Sequence, residues 1–103
     1  MLEISNIKDN VLKCVKQHIS MFKNFDHVYL FGSILKANTA PNDIDVLLIY
    51  TDYSDKISTA CCAIRSILEE EIGLPVDLTV LSSNEERNTG FLKRIQPLCL
   101  KLK

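Results

Sequence analysis

Apolar residues recur at three- and four-residue steps from about Ser5 to Phe22. Leu12, Val15, Ile19 and Phe22 form a stripe that Ile7, Val11 and Cys14 widen, while Lys8, Asp9, Lys13, Lys16 and Gln17 lie mostly off it. That period predicts an amphipathic helix packed on a sheet. After the turn residues Asn24-Phe25-Asp26 the pattern changes: His27-Val28-Tyr29-Leu30-Phe31 is rich in β-branched and aromatic residues and reads as a short strand. Ile34 to Asn38 reads as a short helix ended before Pro41, because the residue before a proline is biased away from helical ψ. Asp43 to Tyr50 is the central strand, and its nearly unbroken apolar run after Asp45 predicts burial on both faces.

The second half is as regular. Thr51 to Asp55 is a polar loop with a helix start at Ser54 or Asp55, after which Ile57, Cys61, Ile64, Leu68 and Ile72 recur at helical spacing until Gly73 and Pro75 stop them. Glu69-Glu70-Glu71 reads as a solvated face of that helix, or as an acidic patch for a basic partner. Val76 to Leu81 alternates, with Val76, Leu78 and Val80 facing one way and Asp77, Thr79 and Leu81 the other. Ser83 followed by Glu86 is a capping-box signature for a last helix running to about Gln96, with Phe91, Leu92 and Ile95 buried and Pro97 as its limit. Leu98, Leu100 and Leu102 then suit a short edge strand, or an apolar tail that docks on a partner. The expected architecture is α/β (α+β): a small mixed sheet of three to four strands flanked by helices, in a single domain spanning 1–103.

Composition narrows the function. Hydrophobic residues at 47% and charged residues at 24% describe a globular chain, and a net charge of −1 provides no general attraction to a polynucleotide backbone, which calls for a basic groove. Direct nucleic-acid binding is therefore disfavoured. Arg87, Lys93, Arg94, Lys101 and Lys103 are the local basic excess, read as a solvated face or as contacts to phosphate or an acidic partner. Cys14, Cys61, Cys62 and Cys99 show no Cys-x-x-Cys and no His at ligand spacing, which suggests neither zinc nor a disulfide framework, and Cys14, Cys61 and Cys99 fall among apolar positions, so buried reduced thiols are expected there. His18 and His27 read as surface or sheet-edge residues. Met1 to Ser5 lacks a basic region followed by an apolar one, and no apolar run approaches the roughly 20 residues of a membrane span. The expectation is a cytoplasmic protein with no membrane association.

The chemistry concentrates between the first two strands. Residues i and i+2 of a strand share a face, so Asp43 and Asp45 present two carboxylates side by side. Such acids repel one another unless a cation lies between them, and hard divalent ions such as Mg²⁺ take one or two carboxylates plus substrate phosphates. Gly32-Ser33 offers a turn whose backbone N–H groups and hydroxyl suit a phosphate, aided by the start of the next helix. Lys36, one turn on, is placed to reach a triphosphate tail or to face solvent. Asp77 is a third carboxylate in an otherwise apolar strand, where propensity disfavours it. The plain alternatives are an N-cap for Ser33 and caps or turn residues for the acids.

Gly32-Ser33, the nine-residue spacer Ile34 to Asn42 and Asp43-Ile44-Asp45 together resemble the signature of the DNA polymerase β-like nucleotidyltransferase superfamily. The order and spacing of the elements extend the resemblance over nearly the whole chain. By size the chain is similar to the minimal nucleotidyltransferases, the MNT antitoxins that partner HEPN-domain toxins. The spacer departs from the usual one, carrying Leu35, Lys36 and Ala37 where Arg and Gly are common. The resemblance implies a nucleotidyltransferase fold with two Mg²⁺ ions held by Asp43, Asp45 and Asp77. It implies phosphate contacts from Gly32 and Ser33, with Asp77 as general base. It further implies transfer of a nucleoside monophosphate, AMP from ATP, to a tyrosine hydroxyl of a HEPN toxin, which silences that toxin's RNase. The alternative is a catalytically weak or inactive module that neutralises its partner by complex formation. Homo-oligomerisation is left open.

Overall fold

The computed structural model describes residues 4–36 and 41–103. Met1 to Glu3, part of the N-terminal stretch read above, and Ala37 to Ala40 of the spacer lie outside the described residues.

The first apolar stripe forms helix α1, Ile4–Gln17, and then a separate 3-10 turn, Ile19–Phe22. The helix does not run through to Phe22 as its period predicts. His18 leaves helical geometry at φ −114°, ψ 31°, and the stripe is rotated there, so Ile19 is 46% exposed while Phe22 remains 1% exposed. Strand β1, His27–Phe31, follows, and β2, Ile44–Tyr50, returns antiparallel to it. Helix α2, Asp55–Ile72, starts after Ser54 and ends at Gly73, whose left-handed φ of 83° lets its N–H donate to the Glu69 carbonyl at 2.9 Å.

After α2 comes β3, Val76–Ser82, parallel to β2, as a helical crossover favours. The capping box falls one residue earlier than its sequence signature, on Ser82 and Glu85, and opens α3, Ser83–Thr89. Gly90, at φ 64°, ends α3, and α4, Phe91–Ile95, is a separate short helix rather than its continuation. Strand β4, Cys99–Lys101, pairs with β1, so the fourth edge strand forms and the sheet order is β3-β2-β1-β4. Lys103 Nζ then donates to the Phe22 and Phe25 carbonyls at 2.9 and 2.6 Å, an anchoring role that its place in a basic tail does not suggest.

The core lies between one sheet face and helices α1 and α2. Val28, Leu30, Ile44, Val46, Leu48 and Val76 from the strands meet Val11, Cys14, Val15, Ile57, Ile64 and Leu68 from the helices. Among the described residues no buried side chain is polar or charged. The opposite face buries Leu47 and Ile49 near α3, and Phe31 meets Phe91 of α4 edge-on at 5.7 Å. This is the mixed α+β architecture expected from the sequence, a four-stranded mixed sheet flanked by helices. No described helix is long and apolar enough to cross a membrane.

Candidate active site

Strand pairing brings the three acids together. Asp45 is the second residue of β2, Asp43 lies two positions before it, and the parallel register sets Asp45 directly beside Asp77. One carboxylate oxygen from each of Asp43, Asp45 and Asp77 lies within 4.8 Å of the others, with Asp43 and Asp45 half-buried and Asp77 exposed. The Asp45 carboxyl titrates above its ordinary value, first because burial disfavours its charge and then because Asp43 and Asp77 repel it. Three oxygen donors in mutual repulsion are the chemistry that a hard divalent cation relieves.

Gly32 completes this wall. The antiparallel register sets Phe31 opposite Asp45, so the chain leaves β1 right beside the acids. Gly32 turns with φ 86°, and a Cβ there would collide with Asp45 Oδ2 and stand 3.3 Å from its Cγ. Only glycine meets both demands. Its N–H is occupied inside the protein, donating to the Leu98 carbonyl at 3.2 Å. The contribution of Gly32 is thus room and direction, and its N–H is not free for the phosphate contact expected of the turn.

The segment after Gly32 is tighter than the short helix its sequence predicts: a 3-10 turn over Gly32–Leu35. Ser33 lies within it and does not act as its N-cap, a position taken by Phe31 with no side-chain cap bond. Ile34 is 3% exposed and pins the turn to the core. Lys36 is exposed in extended backbone, its N–H donating to the Ser33 carbonyl at 3.0 Å. The structure therefore gathers Asp43, Asp45, Asp77 and Gly32 and leaves Lys36 at the rim of the turn.

Glu69 is a residue that the sequence did not single out. It was read with Glu70 and Glu71 as a solvated face, yet its Oε2 accepts from the Val76 N–H at 2.9 Å. Beside it, the Ile44 N–H donates to the Pro75 carbonyl at 2.9 Å. Together these bonds fix where β3 begins against β2, and so fix Asp77 beside Asp45. Its place one turn before Gly73 was the available signal, since the reversal there turns the chain back toward the helix end. Of the basic residues, Arg94 lies 5.6 Å over the Phe91 ring, on the Phe31 side of the sheet, and Arg87 donates to Asn84 at 2.7 Å.

Comparison with known proteins bears on this geometry. A family model described as polymerase beta, nucleotidyltransferase, matches residues 13–96. A chain of the tri-AMPylated Shewanella oneidensis HEPN toxin in complex with MNT antitoxin superposes with a TM-score of 0.59 at 22% identity, over 94% of this chain and 71% of that one. A mutant of the toxin–antitoxin MntA-HpeT gives 0.58 at 19% identity, over 99% and 73%. A Sulfolobus solfataricus protein assigned as a nucleotidyltransferase gives 0.53 at 19% identity, over 98% and 87%. No curated protein sequence matches the chain.

Proposed function

The chain belongs to the polymerase beta nucleotidyltransferase family, and from that premise we propose that its 103 residues act as one domain transferring AMP from ATP to a hydroxyl, a tyrosine of a HEPN-domain toxin for which it is the antitoxin. The observation that carries the reading is the convergence of Asp43, Asp45 and Asp77 beside Gly32. The likeness in fold to chains from MNT and MntA complexes supports the choice of partner.

Asp43, Asp45 and Asp77 would hold the two Mg²⁺ ions of the reaction. When bound, Mg²⁺ neutralises triphosphate charge and makes the acceptor hydroxyl more acidic. The remaining work falls to the chain. Ser33 orients the β- and γ-phosphates, and Lys36 reaches the tail from the rim. Asp77, the most exposed of the three acids, takes the acceptor proton as the hydroxyl oxygen bonds to the α-phosphorus and pyrophosphate leaves. Catalysis is positioning and charge neutralisation on a rigid strand pair.

The test is transfer of label from ATP labelled at its α-phosphate, with Mg²⁺, to a purified HEPN-domain toxin that this chain neutralises. Label on a tyrosine that is lost in Asp43→Ala/Asp45→Ala is the expected result. No label, with the toxin still inhibited by both forms, overturns catalysis and leaves a binding antitoxin.

A further inference from the structure

Away from the sheet acids, the end of α1 and the end of α2 bring a second donor set together. Cys14 and His18 are four residues apart, so their side chains share one face of a helical turn. The His18 N–H donates to the Cys14 carbonyl at 3.0 Å, which preserves that turn although α1 itself ends at Gln17. Glu71, one residue before the end of α2, meets them: its Oε1 is 3.2 Å from His18 Nε2. One donor atom from each of the three lies within 4.8 Å of the others.

We infer that Cys14, His18 and Glu71 form a three-ligand site for a borderline-soft divalent cation of the zinc type, with a fourth position open to solvent. Sulfur, nitrogen and oxygen donors together select such an ion, whereas the all-oxygen acids of the sheet select a hard one. Tetrahedral zinc with bonds of about 2.0–2.3 Å sets ligand–ligand edges of about 3.3–3.6 Å. The His18–Glu71 separation is already close to that value, and the rest of the cluster has to contract by little more than about 1 Å.

The main rival is a nucleophilic cysteine, and the surroundings of Cys14 oppose it. Cys14 is buried, and the Glu71 carboxylate is its neighbour in the cluster, the reverse of the open, electropositive surroundings of an activated thiol. A cation takes the place of the thiol proton, which leaves to water, and no other bond changes. The site also has an approach: Cys14 lies at its base, 2% exposed, while the His18 and Glu71 side chains are 30% and 38% exposed at its mouth. Filled, it clamps the exit of α1 to the end of α2, two residues beyond the Glu69 that aligns β3. Against the expectation from the sequence, the four-residue step from Cys14 to His18 is a ligand spacing on one helical turn, and the third ligand comes from a residue 53 positions from His18.

The test uses the full chain stripped of metal and titrated with Co²⁺ alone, then with Zn²⁺ against a chromogenic chelator. One equivalent of Co²⁺ should give a thiolate charge-transfer band and tetrahedral visible bands that Zn²⁺ removes, and Zn²⁺ should raise Tm. His18→Ala and Glu71→Gln, both outside the core, should weaken Zn²⁺ at least ~10-fold and abolish the Tm rise. Cys14→Ser should remove the charge-transfer band, and Asp43→Ala/Asp45→Ala should keep it. The inference is overturned by the lack of a thiolate band in the wild type. It is equally overturned by unchanged Zn²⁺ affinity in His18→Ala, or by loss of the band in the double Asp variant; because Zn²⁺ and Co²⁺ binding are read without ATP or a toxin, failure here is separate from failure of nucleotidyl transfer.

Discussion

On one face of the sheet β2 presents Ile44, Val46 and Leu48, all sealed against α1 and α2; on the other it presents Asp45, then Leu47 and Ile49. The backbone is the same and the alternation is the same. The first face gains from leaving water, by roughly 25 cal/mol per Å² of apolar surface. The second places a carboxylate where burial and two like charges disfavour its ionised form. The comparison teaches that the rigid face is what keeps the costly one in place: Asp45 and Asp77 cannot move apart without breaking the register that Val46–Leu78 and Leu48–Val80 share with them.

The largest expected effect strikes the costly face. Asp45→Ala should lower AMP transfer by about 10³-fold or more, roughly 4 kcal/mol of transition-state stabilisation, with folding retained by circular dichroism. Loss of less than tenfold would break the assignment. On the sealed face Leu48→Ala should cost about 2–5 kcal/mol in urea unfolding, by lost burial and the cavity left behind. Gly32→Ala sits between the faces, and strain at positive φ plus collision with the Asp45 carboxylate should cost about 2–3 kcal/mol and displace that acid.

Two smaller effects sharpen the contrast. Glu69→Ala leaves the Val76 N–H without its acceptor and should cost about 1–2 kcal/mol, with transfer falling because Asp77 loses its register. Asp45→Asn should stabilise the metal-free protein by about 0.5–1 kcal/mol at neutral pH while abolishing transfer. The sign follows from linkage: the folded Asp45 carboxyl titrates above its unfolded value, so its contribution is full below the unfolded pKa of 3.8 and is lost as pH rises through the folded pKa. The stability difference between Asp45→Asn and the wild type should therefore grow from acid toward neutral pH, and Mg²⁺ should reverse it by stabilising only the wild type.

Much of this was legible along the chain because local patterns carry it. β-Branched and aromatic residues marked His27–Phe31, a period of two marked Val76 onward, a helical period with Gly73 marked α2, and Asp43-Ile44-Asp45 after Gly32-Ser33 marked the acids. The misreadings share a cause. The stripe through Ile19 and the helix through Gly90 had plausible periodicity, but single residues, His18 and Gly90, leave helical geometry and divide each element. The 3-10 turn after Gly32 likewise reflects the pull of Ile34 into the core.

What the sequence by itself determined is the set of elements, their burial pattern and the residue types at the mouth of the sheet, since these depend on neighbours within a few positions. The pairing of Asp45 with Asp77, the Glu69 bond that aligns them, the Lys103 anchor and the meeting of Cys14 and His18 with Glu71 were decided only in the tertiary structure. Each joins groups on separate elements, and no local period records which turn of one helix or which step of one strand comes to rest against another.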